Sequence, residues 1–231
     1  MPPLYQLSTG DCEFTVPSLP QGFTPCVVLR GQHPVPGILE RFSVGAVYVS
    51  PVMFREPTPA LEALRYAIQS LGVPLSELDA SVGLKGGGDV ELEILHPPAR
   101  GVIGSDNANS IVLRIGYQGH TILLPGDLET PGLEDVTAEV PLDCSIVMAP
   151  HHGSLRSDPL GFSAWSTPEH VVISGGAGRD LDVVRWAYEY GGATVSHTAV
   201  AGAIRFEVSS AGISTMRHRD SPAQDKAKEG Q

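Results

Sequence analysis

Residues 106–129 read DNANSIVLRIGYQGHTILLPGDLE, and residues 148–158 read MAPHHGSLRSD. The first stretch holds two apolar runs, Ser110–Tyr117 and His120–Leu124, separated by Gln118-Gly119. That pattern predicts a β-hairpin with a tight turn. Pro125-Gly126-Asp127 stops its second strand, and Cys144–Met148 is a further short apolar strand that stops at Pro150-His151-His152-Gly153. Both strand ends therefore run into metal-capable side chains. The ends of strands are where layered α/β sheets place their sites.

Working outward, Val171–Ser174 predicts a strand, Asp182–Tyr190 a helix with Val183, Val184, Trp186 and Ala187 as its apolar surface, and Thr194–His197 and Ala203–Val208 two more strands. Upstream, Ala46–Val49 suits a buried strand. Thr58 caps a helix whose Leu61, Leu64, Ile68 and Leu71 recur at helical spacing until Gly72 stops it. Glu91–Leu95 alternates and ends at His96-Pro97-Pro98. Leu133–Ala138 is a helix candidate, and Lys85-Gly86-Gly87-Gly88 is a turn without the spacing of a P-loop. Strands alternating with helices predict an α/β layered sandwich. Glu13–Val16 and Cys26–Leu29 are short strand candidates in an otherwise aperiodic start, and the polar tail from Ala211 reads as disordered.

A length of 231 residues suffices for one domain with a core, and 26 Gly with 20 Pro fit a turn-rich α/β fold. The net charge of −11 disfavours non-specific binding of nucleic acid by the surface as a whole. Three cysteines exclude a full disulfide framework; Cys144 reads as a buried thiol, while Cys12 and Cys26 are free to pair in an oxidising compartment. No signal peptide or membrane-length apolar run is present, so the chain is expected to be soluble and cytoplasmic. No G-x-S-x-G elbow is present, which disfavours a serine hydrolase.

The chemistry concentrates in three places: Asp106–Ser110, Gly126–Glu129 and His151–Ser154. A carboxylate and imidazoles suit zinc or manganese, and a Gly-Ser after histidine lets amides and a hydroxyl approach a phosphate oxygen. Together with VVISGG at 171–176 and GAIRFEV at 202–208, these stretches resemble the metallo-β-lactamase-like domain of the ComEC/Rec2 DNA-uptake proteins. The likeness runs from about Ile38 to Val208 and is greatest across Asp106 to Gly176.

The resemblance implies a metallo-β-lactamase-like layered αββα sandwich and metal-assisted phosphodiester hydrolysis, with zinc or manganese as the metal. It implies Asp127 and His151 as metal ligands, His152 as second ligand or proton carrier, and Ser154 and Asn109 as residues lining the site. It also implies DNA or a nucleotide as partner, and a membrane channel protein as neighbour, since the relatives are membrane-attached.

The chain departs from that pattern at its start. The H-x-H-x-D-H motif that supplies most ligands of the first metal is absent, and His33-Pro34-Val35 stands where its end would fall. The family's Gly-His-Pro after the ISxG strand is replaced by Gly178-Arg179-Asp180-Leu181. The expected fold is therefore N-terminally incomplete: an atypical segment at 1–35, the domain at 36–210, and a tail at 211–231. Two alternatives stay open. One is a catalytically inactive truncated domain, an interaction module or a gene fragment, with exposed apolar surface that favours self-association. The other is a metallohydrolase rebuilt with ligands from His33, Asp11 and Glu13. Of the other histidines, His96 reads as a strand end, His120 as exposed, and His170 and His197 as satisfied structural residues.

Overall fold

The computed structural model describes residues 44–176 and 180–219, Leu39 and Phe42, and the backbones of three strands nearer the start, β1 (Tyr5–Thr9), β2 (Cys12–Val16) and β3 (Cys26–Val28). His33 and Asp11 lie outside the described residues, as do the side chains of Glu13, Cys12 and Cys26.

Strand β4 (Ala46–Val49) alternates in burial. Val47 and Val49 face helix α1 (Pro59–Ser70), where they meet Leu39, Leu64 and Ile68. Tyr48 points the other way and packs with Ile94, Ile111 and Leu113 of the larger sheet. The helix starts where the sequence indicates: Thr58 Oγ1 accepts the Leu61 amide at 3.3 Å, and Pro59 occupies the first turn, where a missing N–H costs nothing. Strands β3, β4 and β5 (Leu75–Glu77) form a three-stranded parallel sheet.

The larger sheet has seven strands. It comprises β6 (Leu84–Lys85), β7 (Val90–His96), β8 (Val112–Tyr117), β9 (His120–Leu124), β10 (Ile146–Met148), β11 (His170–Ile173) and β12 (Thr194–His197), in the order β12-β11-β10-β9-β8-β7-β6. Strands β6 to β9 pair antiparallel and β9 to β12 parallel. The turn between β8 and β9 is the one expected, with Gln118 and Gly119 both at positive φ, 52° and 81°.

One face of this sheet packs on helices α2 (Gly132–Thr137), α3 (Pro159–Ser166) and α4 (Leu181–Tyr190), burying Val112, Leu123, Val147, Val171 and Ile173 against Leu133, Phe162, Val184 and Tyr188. The opposite face carries Ile122, Ile146, Met148 and Val172. They are covered by helix α5 (Thr198–Ala201) and strand β13 (Ile204–Ser209) through Ala201, Ile204 and Phe206. The layers run helix, small sheet, large sheet, helices: the α/β layered sandwich the sequence predicts.

Strands β1, β5 and β6 and helix α5 have no counterpart in the sequence reading, and two further elements differ from it. Helix α3 has no counterpart in it, because its eight residues carry Pro, Gly and three Ser or Ala positions and show little periodicity. It forms because Asp158 caps the Gly161 amide at 3.2 Å while Phe162 and Trp165 are buried. Gly212–Arg217, read as the start of a disordered tail, is instead strand β14, antiparallel to β13 along its whole length. Among the described residues Ile213 packs on the core while Ser214 and Met216 are exposed, which fits its polar composition. No helix among the described residues is long and apolar enough to cross a membrane.

Candidate functional site

Because β9 and β10 are parallel neighbours, the segments that leave their C-terminal ends come together. The His151 amide donates to the Gly126 carbonyl at 3.0 Å and ties the two loops. His151 and His152 both have left-handed backbones, with φ of 47° and 56°, and Gly153 follows at 76°. Consecutive non-glycine residues in this region are costly and persist only where the surroundings enforce them. Gly153 has no freedom to change: a Cβ there would stand 3.0 Å from Ile173 Cγ2 and 3.2 Å from Val184 Cγ1.

The backbone turn sends the two imidazoles to different carboxylates. His152 Nε2 lies 3.4 Å from Asp127 Oδ1, and His151 Nδ1 lies 3.3 Å from Glu129 Oε2. The ring centroids stand 6.4 Å apart. His152 is held from behind: its Nδ1 is 3.1 Å from both the carbonyl and the hydroxyl of Ser174 at the end of β11. A carbonyl only accepts, so Nδ1 carries the proton in that bond, and a neutral ring then turns a lone pair on Nε2 toward Asp127. Glu129 is oriented by Ser105, whose hydroxyl donates to Oε1 at 3.3 Å, while its Oε2 is buried against His151.

The other expected site residues have local work. Asn109 is 2% exposed, and its amide group pins the loop before β8: Oδ1 accepts from the Val102 amide at 2.7 Å, and Nδ2 donates to the carbonyls of Val102 and Ser105 at 3.0 and 3.1 Å. Ser154 caps a short 3-10 turn, accepting from the Arg156 amide at 3.2 Å. Sequence reasoning missed Ser174 and Ser105, which position His152 and Glu129; a serine at a strand or loop end carries no signal of its own.

The remaining histidines are sorted by burial. His120, expected to be exposed, is half-buried with Nδ1 3.1 Å from Ser145 Oγ. His170 packs against Phe206. His96 is buried with Nδ1 2.9 Å from the Ser110 carbonyl, and burial holds it below its ordinary value. His197 is buried, but among the described residues neither ring nitrogen has a hydrogen-bond partner, so it is not the satisfied residue expected; burial lowers its pKa too.

A divalent cation fits this donor set in kind and in spacing. Two atoms each about 2.0–2.2 Å from a tetrahedral ion stand about 3.3–3.5 Å apart. The Asp127–His152 separation of 3.4 Å matches that, and it exceeds the roughly 2.7–2.9 Å of a charge-assisted hydrogen bond. The number of ligands does not fit. A hydrolytic ion takes typically three protein ligands and a water. Among the described residues no three His, Cys, Asp or Glu side chains converge. His151 in particular is turned to Glu129 and does not complete the Asp127–His152 pair.

No protein-family model matches the chain. Among curated proteins, the competence protein ComA of Neisseria gonorrhoeae is 30% identical over 136 residues, which is 56% of this chain and 20% of that protein. The chain is similar to part of a competence protein. It spans about a fifth of that relative's length.

Proposed function

We propose that this chain acts in DNA uptake as a metallo-β-lactamase-like domain in which Asp127 and His152 form one edge of a divalent-metal site. The observation that carries the reading is the 3.4 Å separation of Asp127 Oδ1 and His152 Nε2, with Ser174 holding the ring from its other nitrogen. A carbonyl behind the imidazole is the usual support of a metal-bound histidine, since it fixes the tautomer and the ring orientation. Similarity to a competence protein supports the biological setting. A metal held there would supply Lewis-acid chemistry for phosphodiester hydrolysis. Here Asp127 and His152 would hold the ion, Ser174 would orient His152, and the described residues fall one ligand short of that chemistry.

A second reading, a non-catalytic module, is favoured by His151, which stands 3.3 Å from Glu129 rather than with the Asp127–His152 pair. Metal content of the dialysed chain, measured by plasma mass spectrometry beside Asp127→Ala, separates the two. Near-stoichiometric zinc or manganese that disappears in the variant supports the metal edge. Equal, substoichiometric metal in both proteins refutes it and leaves the non-catalytic module. Cleavage of a DNA strand by the metal-loaded chain, lost in His33→Ala, would place the missing ligand in the first segment.

A further inference from the structure

The small parallel sheet has a strand-end hollow of its own. About 430 Å³ opens where β4 and β5 finish, lined on its apolar side by Val49, Pro51, Phe54 and Leu75, of which Phe54 and Leu75 are partly exposed. That size falls in the range of small-molecule sites, and the C-terminal ends of parallel strands are where such sites form. Its rim is cationic in a chain of net charge −11: the guanidiniums of Arg55 and Arg65 line it, with Ser76 and the single carboxylate of Glu77.

Both arginines are pre-positioned. Arg55 Nη1 donates to the Arg100 carbonyl at 2.9 Å, which fixes the side chain and leaves its other nitrogens to the rim. Arg65 lies over the Phe54 ring, 5.6 Å from its centroid, on the face of α1 that borders the hollow. Among the described residues neither guanidinium has a carboxylate within ion-pair distance, Glu77 included. Two exposed, unneutralised guanidiniums beside a hydroxyl suit the oxygens of a phosphate, which arginine binds with paired N–H donors. The apolar floor suits a flat uncharged body attached to it.

We propose that this hollow binds a phosphomonoester with a flat apolar body, such as a nucleoside monophosphate, with the phosphate on Arg55 and Arg65 and the body on Phe54 and Leu75. The pocket is distinct from the histidine–carboxylate pairs, but the two are connected through one loop: Arg55 holds Arg100, and Ser105 further along holds Glu129. The inference therefore stands whether or not Asp127 and His152 hold a metal.

The test is calorimetric titration of the full chain, without added metal, with deoxyadenosine monophosphate, deoxyadenosine and inorganic phosphate. The monophosphate should bind saturably and more tightly than either fragment. Arg65→Gln and Arg55→Gln should each weaken it about tenfold or more, the loss expected for a hydrogen-bonded charged partner. Arg65→Lys should recover part of the loss, and added salt should weaken binding in the wild type. Both arginines are exposed, so unchanged thermal melts are expected and would exclude misfolding as the cause. Absence of saturable binding at millimolar ligand overturns the proposal. So does binding that survives both arginine substitutions, or that is lost only in Asp127→Ala, which would put the phosphate at the histidines. Equal affinity for inorganic phosphate would refute the role of the apolar floor.

Discussion

Substituting Asn109 with alanine tests whether that residue builds the loop or faces a ligand. Its amide makes three hydrogen bonds, one to the Val102 amide and two to the carbonyls of Val102 and Ser105, from a side chain that is 2% exposed. A hydrogen bond contributes about 1 kcal/mol net, and an unsatisfied buried partner costs more than that. Val102 is only half-buried, so water can replace part of what Asn109→Ala removes. The expected loss is about 2–3 kcal/mol, a large fraction of the roughly 5–15 kcal/mol that a domain has. For a chain of this length that corresponds to a fall in Tm of roughly 5–10 °C. Urea unfolding gives the first number and a thermal melt the second.

Asn109→Asp sharpens the test. It removes the donor that meets two carbonyls and leaves a buried carboxylate facing them, so its folded-state pKa must lie above the unfolded value of about 3.9. The protonated acid can donate to one carbonyl, so this variant should be least destabilised at low pH and lose stability as pH rises through the folded-state value. A change below about 0.5 kcal/mol for Asn109→Ala, or a pH-independent penalty for Asn109→Asp, would refute the positioning role and return Asn109 to the candidate ligand-contacting residues.

Three further outcomes follow from packing and titration. Burial holds His96 and His197 below the ordinary 6.5, so the unfolded chain takes up their protons first; stability should be complete above about pH 7 and fall as pH drops below 6.5. Urea unfolding at two pH values checks this, and His96→Leu should reduce the slope. Gly132→Ala should destabilise by about 1–3 kcal/mol or prevent folding, because a Cβ there would stand 2.0 Å from the Ala108 carbonyl oxygen and 2.9 Å from His96 Cε1; a melt no lower than wild type would contradict the close approach of α2 to that loop. The Cys144 thiol is buried and its pKa is pushed up to about 11, so in a Cys12→Ser, Cys26→Ser background it should resist a thiol reagent at pH 8 and react on addition of denaturant. Rapid native labelling would mean that the strand bearing it opens readily.

Local structure is legible in the sequence where one residue type leaves few options. Gln118-Gly119 takes the two positive φ values that a two-residue hairpin needs, and Thr58, Pro59 and Gly72 bracket α1 by capping chemistry that acts within a few residues. Elements held by distant partners were not legible: α3 depends on burying Phe162 and Trp165, and β14 on pairing with β13.

The candidate site divides the same way. Asp127, His151 and His152 stand out in the sequence because a Gly-Asp and a His-His-Gly-Ser each end an apolar run, which is a matter of order along the chain. Their pairing is not. Side by side in sequence, the two histidines look like one pair of ligands. Yet two successive left-handed residues turn their rings apart, one toward Asp127 and Ser174, the other toward Glu129. The sequence by itself determined which residues end up at the sheet edge, because strand ends are set by local breakers. Only the tertiary structure decided which imidazole meets which carboxylate, because that depends on the parallel register of β9, β10 and β11 and on backbone angles that the packing of Gly153 against Ile173 and Val184 enforces.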